Sequence, residues 1–170
     1  ELLWRLEMLQ HIRTDDAVGL NVVRQLRREF TPDDRVDVRE TMEMGLALLD
    51  FMVGYRAVVI VDSIQTGRAS PGTIHELDAS GLERLAGRTP HFLGVGDTLA
   101  LGLQLGLPMP DEVKIVAIEV EDPFTLGTQM TPALQAALPA VLDRVRQGLY
   151  KLLSAEKAVE TAQAIARSEE

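Results

Sequence analysis

The hydrophobic pattern of this chain switches between an unbroken or alternating apolar register and a spacing of three and four, the signatures of strand and helix. Ala57-Val58-Val59-Ile60-Val61 is a run of five apolar residues rich in β-branched side chains, which predicts a strand buried on both faces. It closes at Asp62, and Ser63-Ile64-Gln65-Thr66-Gly67 follows. Val113 to Val120 predicts a second strong strand, left through Glu121-Asp122-Pro123. Val36-Val38 starts a shorter strand-like stretch. After the Pro71-Gly72 turn, Thr73-Ile74-His75-Glu76-Leu77 alternates as a half-buried edge strand does.

Helical spacing appears between these runs. Val18, Val22, Val23, Leu26 and Phe30 share one helical face, and Thr14 offers a cap with Asp15 and Asp16 at the positive end. Met44, Leu48, Leu49 and Met52 space like a helix that stops at Gly54. Leu82 to Leu85 suggests a helical turn, and the loop Gly87-Arg88-Thr89-Pro90-His91 leads to a helix containing Leu99 and Leu103, ended by Gly106 and Pro108. Thr131-Pro132 reads as a cap with proline at the first helical position. Pro139 is expected to separate that turn from a long helix carrying Val141, Leu142, Val145, Leu149 and Leu152. Strands alternating with helices predict an α/β three-layer sandwich, with a mostly parallel twisted sheet of about five strands flanked by helices and one antiparallel edge strand. Residues 1–170 form a single domain in this reading, with an Ala- and Glu-rich helical tail over 154–170.

Composition narrows the function classes. Apolar residues make up 46% and charged residues 25%, a globular balance. A net charge of −9 argues against nucleic acid or an anionic membrane face as partner, since both need clustered cations. The absence of Cys removes disulfides, thiolate metal sites and thiol nucleophiles together, so any transition-metal site must use His and carboxylates. No stretch approaches the roughly 18 apolar residues of a membrane span. No secretion signal is visible, and a reducing cytoplasm is the expected compartment.

Asp62 carries the most information about chemistry. A carboxylate where a buried strand emerges lies in the crevice where open α/β sheets bind ligands, although an acid there can also just start a turn. His11, His75 and His91 are the three histidines, and His91 stands in a polar loop just before a helix. A loop histidine is commonly just solvated; its possible company raises it. Asp16 begins the helix after the first strand, Asp62 ends another strand, and His91 lies in a further connection. If these emerge at one end of the sheet, two carboxylates and an imidazole form an N/O site suited to nickel, zinc or cadmium. Glu119, Glu121 and Asp122 could line a site, but a solvated strand end is the favoured reading. No Gly-x-Ser-x-Gly elbow or His-Glu-x-x-His helix occurs, and Asp62-Ser63-Ile64 lacks the glycine of the pepsin-like loop. Gly94-x-Gly96 and Gly102-x-x-x-Gly106 lack the dinucleotide fingerprint and read as helix-packing glycines.

Taken in order, several segments resemble the [NiFe]-hydrogenase maturation proteases. They are Thr14-Asp15-Asp16-Ala17-Val18-Gly19-Leu20, Gly45-Leu46-Ala47-Leu48-Leu49, Val59-Ile60-Val61-Asp62-Ser63, Pro71-Gly72-Thr73-Ile74, Thr89-Pro90-His91 and the strand region Leu107 to Val120. The resemblance spans roughly residues 13 to 150. It implies an aspartyl-type endopeptidase that activates its partner by removing the C-terminal extension of a hydrogenase large-subunit precursor once nickel has been inserted. It further implies that Asp16, Asp62 and His91 meet the substrate's nickel, with zinc or cadmium as surrogates. The attack on the peptide is expected from a carboxylate, Asp16 or Asp62, or from a metal-polarised water. A cytoplasmic monomer is expected.

The departure is at the N-terminus. The family's first strand ends in Gly-x-Gly-Asn, where this chain has Glu7-Met8-Leu9-Gln10. Either the first strand is altered or residues 1–12 are an atypical segment, and Leu2-Leu3-Leu6-Leu9 around Trp4 also admits a helix. That departure favours a rival reading, a non-cleaving chaperone that binds metal or precursor. A flavodoxin-like binding domain, with Asp62 and His91 unconnected, is the third.

Overall fold

The computed structural model describes residues 3–9, 17–30, 36–41, 43, 45–78, 95–121 and 129–168. Five strands form one sheet: β1 (Leu3–Leu9), β2 (Val36–Thr41), β3 (Tyr55–Ile64), β4 (Ile74–Asp78) and β5 (Glu112–Glu119), in the order β2-β1-β3-β5-β4. The first three pairings are parallel, and β4 joins β5 antiparallel at one edge. The described helices are α1 (Ala17–Leu26), α2 (Leu49–Met52) after a 3-10 turn at Gly45–Leu48, α3 (Val95–Gln104) and α4 (Pro132–Ser168). This is the expected α/β sandwich with its antiparallel edge strand.

The period of two in β3 divides the core. Ala57, Val59 and Val61 pack with Val18, Val22, Val23 and Leu26 of α1 and with Leu134, Val141 and Val145 of α4. Val58, Ile60 and Ile64 face the other way, against Leu48, Met52 and Val95. Each of these apolar side chains contributes on the order of 1.5–3 kcal/mol when fully buried, which is why the most apolar run takes the central position.

One open alternative is decided and two expectations change. The N-terminal segment is a strand, the first of the alternatives its sequence admits, and not a helix. Trp4 through Leu9 pair with Val36 through Thr41 on one side, and Trp4 through Met8 pair with Ala57 through Val61 on the other. Two flanking strands satisfy its backbone on both sides, which outweighs a local helical pattern.

Pro139 does not split the last helix. It lies exposed within α4, whose stripe of Leu134, Val141, Leu142, Val145 and Leu149 stays buried through the proline. Finally, β3 continues two residues past Asp62, because Ser63 and Ile64 pair with Ile118 and Glu119. The Leu82–Leu85 turn, the Thr14 cap and the Gly87–His91 loop lie outside the described residues.

Gly72 explains how the β3–β4 connection closes onto α4. Its φ is +86°, and a Cβ placed there would run into the Cβ of Ala137. Only glycine combines that backbone conformation with so close an approach. Gly102 has a comparable packing role, as its missing Cβ leaves the space that Met109 Sδ occupies.

Candidate functional site at the C-terminal rim of the sheet

Because β1, β2, β3 and β5 run parallel, their C-terminal ends share one edge of the sheet. Open α/β sheets bind ligands outside that edge. Asp62 stands there, two residues before the end of the central strand, with 2% of its surface exposed. Its Oδ1 accepts the Ser63 N–H at 2.8 Å. Its even position in the strand puts it on the face of Ile60 and Ile64, the side covered by α2 and α3. A carboxylate is costly to bury beside Ile60 and Ile64, which makes Asp62 a candidate site residue.

The connection over 10–16 leaves β1 at this rim and ends where α1 begins at Ala17. Thr98 Oγ1 donates to the Gly45 carbonyl at 2.9 Å, which ties the first turn of α3 to the segment leaving β2 at the same rim. Asp16 falls within 10–16 and His91 within 79–94, both outside the described residues. Among the described residues, no group of three or more acids and histidines is placed to hold a metal ion.

Glu119 is not the solvated strand end expected of it. It is 1% exposed. Its Oε1 accepts the backbone N–H of Thr66 at 2.7 Å and of Gly67 at 2.9 Å, and the Thr66 hydroxyl bridges both carboxylate oxygens. His75 Nε2 lies 2.9 Å from Oε2. Burial pushes the Glu119 carboxyl up. The hydrogen bonds from the Thr66 hydroxyl, from His75 and from the Thr66 and Gly67 amides outweigh it, and the group ends below the ordinary glutamate range. Glu119 therefore stays ionised and serves as an anchor for the chain leaving β3.

The register links this anchor to Asp62. Asp62 lies opposite Ala117, and Ala117 lies opposite His75, so all three point to one face. Two strand spacings separate the backbones of Asp62 and His75, roughly 10 Å, with Ala117 on the strand between them. Sequence reasoning placed His75 correctly on the edge strand and missed its partner. The available signal was parity: Val113, Ile115 and Ala117 bury one face of β5, and Glu119 continues that series.

Comparison with known proteins gives a consistent result. A family model described as hydrogenase maturation protease matches residues 20–147, a span that contains Asp62 and His91 and starts just after Asp16. The hydrogenase 2 maturation protease of Escherichia coli K12 is 25% identical over 138 residues, covering 80% of this chain and 83% of that protein. Among solved structures, the hydrogenase maturating endopeptidase HybD of E. coli superposes with a TM-score of 0.72 at 25% identity, over 89% of this chain and 93% of that one. The [NiFe] hydrogenase maturation protease HybD from Thermococcus kodakarensis shares the fold, with a TM-score of 0.63 at 21% identity, covering 86% and 98% of the two chains.

Proposed function

Since the chain belongs to the hydrogenase maturation protease family, a family of peptide hydrolases, we propose that it cuts the C-terminal extension from a hydrogenase large-subunit precursor after nickel insertion. The observation that carries this reading is Asp62, a buried carboxylate at the C-terminal rim of the central strand, inside the matched region. In the proposal Asp16, Asp62 and His91 contact the nickel that the precursor brings. Two carboxylates and an imidazole suit a borderline divalent ion, with zinc or cadmium as surrogates. Contact with that ion reports that the precursor is loaded. A carboxylate, or a water polarised by the ion, then attacks the scissile carbonyl.

No helix among the described residues is long and apolar enough to cross a membrane. The proposed setting is the cytoplasm, with the chain acting as a monomer on its precursor.

The experiment mixes the chain with nickel-loaded and nickel-free precursor and weighs the products. Loss of a C-terminal peptide from the loaded form alone is the expected result. Asp62→Asn and His91→Ala should each abolish processing while circular dichroism stays unchanged; wild-type rates in both variants would remove the proposed site. Tight binding with no mass change would favour the non-cleaving chaperone, the reading to which Glu7-Met8-Leu9-Gln10 lends weight.

A further inference from the structure

The loop that leaves the central strand is held with unusual completeness. Thr66 and Gly67 are bound to the Glu119 carboxylate through two backbone amides and one hydroxyl. Gln65 Nε2 donates to the Glu121 carbonyl at 2.7 Å. At the far end, the Gly72 N–H donates to the Glu119 carbonyl at 2.8 Å, and Gly72 packs on Ala137 of α4. What stands out between these ties is the tip, Gly67 to Ser70. Arg68 is its exposed cation, and its own N–H donates to Thr66 Oγ1 at 3.1 Å. Among the described residues, the Arg68 guanidinium has no carboxylate partner, a state it shares with Arg28 just after α1, whereas Arg24, Arg27, Arg39, Arg144 and Arg146 are all paired; of the two, only Arg68 stands on the loop leaving the central strand.

A pinned loop with one unpartnered guanidinium is a preorganised recognition element. The entropy of ordering the backbone has already been spent on folding, so a ligand gains more from each contact. The chain is strongly acidic overall, at −9, a net charge that disfavours an anionic partner in general. A lone cation acts within a Debye length of about 8 Å, so it favours an anion only at its own position. Arg68 is six residues beyond Asp62, so the chain holds it at most roughly 20 Å from that carboxylate, within the reach of one bound peptide segment.

We propose that Glu119 and His75 are positioning residues that fix the loop after β3, and that this loop presents Arg68 to a carboxylate on the peptide chain of the precursor. The inference rests on the protease reading and adds the determinant by which the substrate is held. Glu119 sets the backbone of Thr66 and Gly67, His75 holds the second carboxylate oxygen, and Arg68 makes the contact.

The test is a double-mutant cycle on processing of nickel-loaded precursor. R68A should raise KM on the order of tenfold with kcat unchanged. R68E should raise it further, and R68K should fall between, because lysine cannot offer the planar fork. E119Q, or H75Q where E119Q does not fold, should also raise KM and speed amide hydrogen exchange at Thr66 and Gly67. R68A should leave that exchange alone. In the R68A background the KM effect of E119Q should vanish, since both act through one contact; a merely structural role for Glu119 predicts additive effects.

An unchanged KM for R68A, or an E119Q effect that persists without Arg68, overturns the proposal while processing by the wild-type chain upholds the protease reading. If the wild-type chain binds precursor without cutting it, that reading fails, and the same cycle is read in Kd. The carboxylate can be an acidic side chain or the chain terminus. Adding a few Gly-Ser residues to the precursor terminus separates these sources: loss of the Arg68 effect identifies the terminus, and its retention identifies a side chain.

Discussion

Replacing Glu119 by Gln takes the charge from an acceptor that serves two backbone amides, a hydroxyl and an imidazole. The amide of glutamine cannot accept from all of them, and its own NH2 must find an acceptor in the same enclosed space. A loss on the order of 2 kcal/mol at pH 7 is expected. The pH dependence has a definite sign. The folded carboxyl lies below the ordinary range, so its ionised form stabilises the fold fully above the unfolded value near pH 4.3 and loses that contribution as pH falls through the folded value. Urea unfolding of wild type and E119Q should therefore differ most at neutral pH, and the gap should close on acidification below about pH 4. A gap that stays constant to pH 3 would show that the charge contributes nothing.

Pro139 poses the corresponding question for an element. It lacks the N–H that would bond the Gln135 carbonyl, and it sits exposed inside a 37-residue helix. Pro139→Ala restores that bond and removes the ring, so it should stabilise the chain by up to about 3 kcal/mol, read as a higher melting temperature. The sequence argued for a break there because proline is a strong local signal. It could not show that Leu134 and Val141, one on each side, bury against the same sheet face and hold the helix together.

β1 teaches the same lesson in reverse. Its leucine spacing admits a helix, and only two partner strands far along the chain decide the matter. Val58 to Val61 and Val113 to Ile118 were legible because a buried parallel strand writes its environment into every residue. The Glu119–His75 contact was not legible. It joins residues 44 apart in sequence, through a register that no local pattern encodes.

At the scale of the whole molecule, the order β2-β1-β3-β5-β4 decides where chemistry can occur. Four parallel strands send their C-terminal ends to one rim, and the sheet crosses over between β1 and β3, where the central strand carries Asp62. The connection bearing Asp16 leaves β1 there, and the one bearing His91 ends at α3, whose first turn is tied to the same rim through Thr98 and Gly45. This topology makes the proposed ligand set testable without any precursor. Cadmium titrated calorimetrically into the chain alone should bind one ion per molecule. Asp16→Ala, Asp62→Ala and His91→Ala should each weaken that binding by at least roughly tenfold, the scale on which even second-shell losses act at metal sites. The pairwise combinations should cost less than the sum of the single changes, because ligands of one ion fail together. Unchanged affinity in the Asp16 or His91 variant would mean that the rim gathers the strand ends without gathering these side chains around one ion, and Asp62 would then act without them.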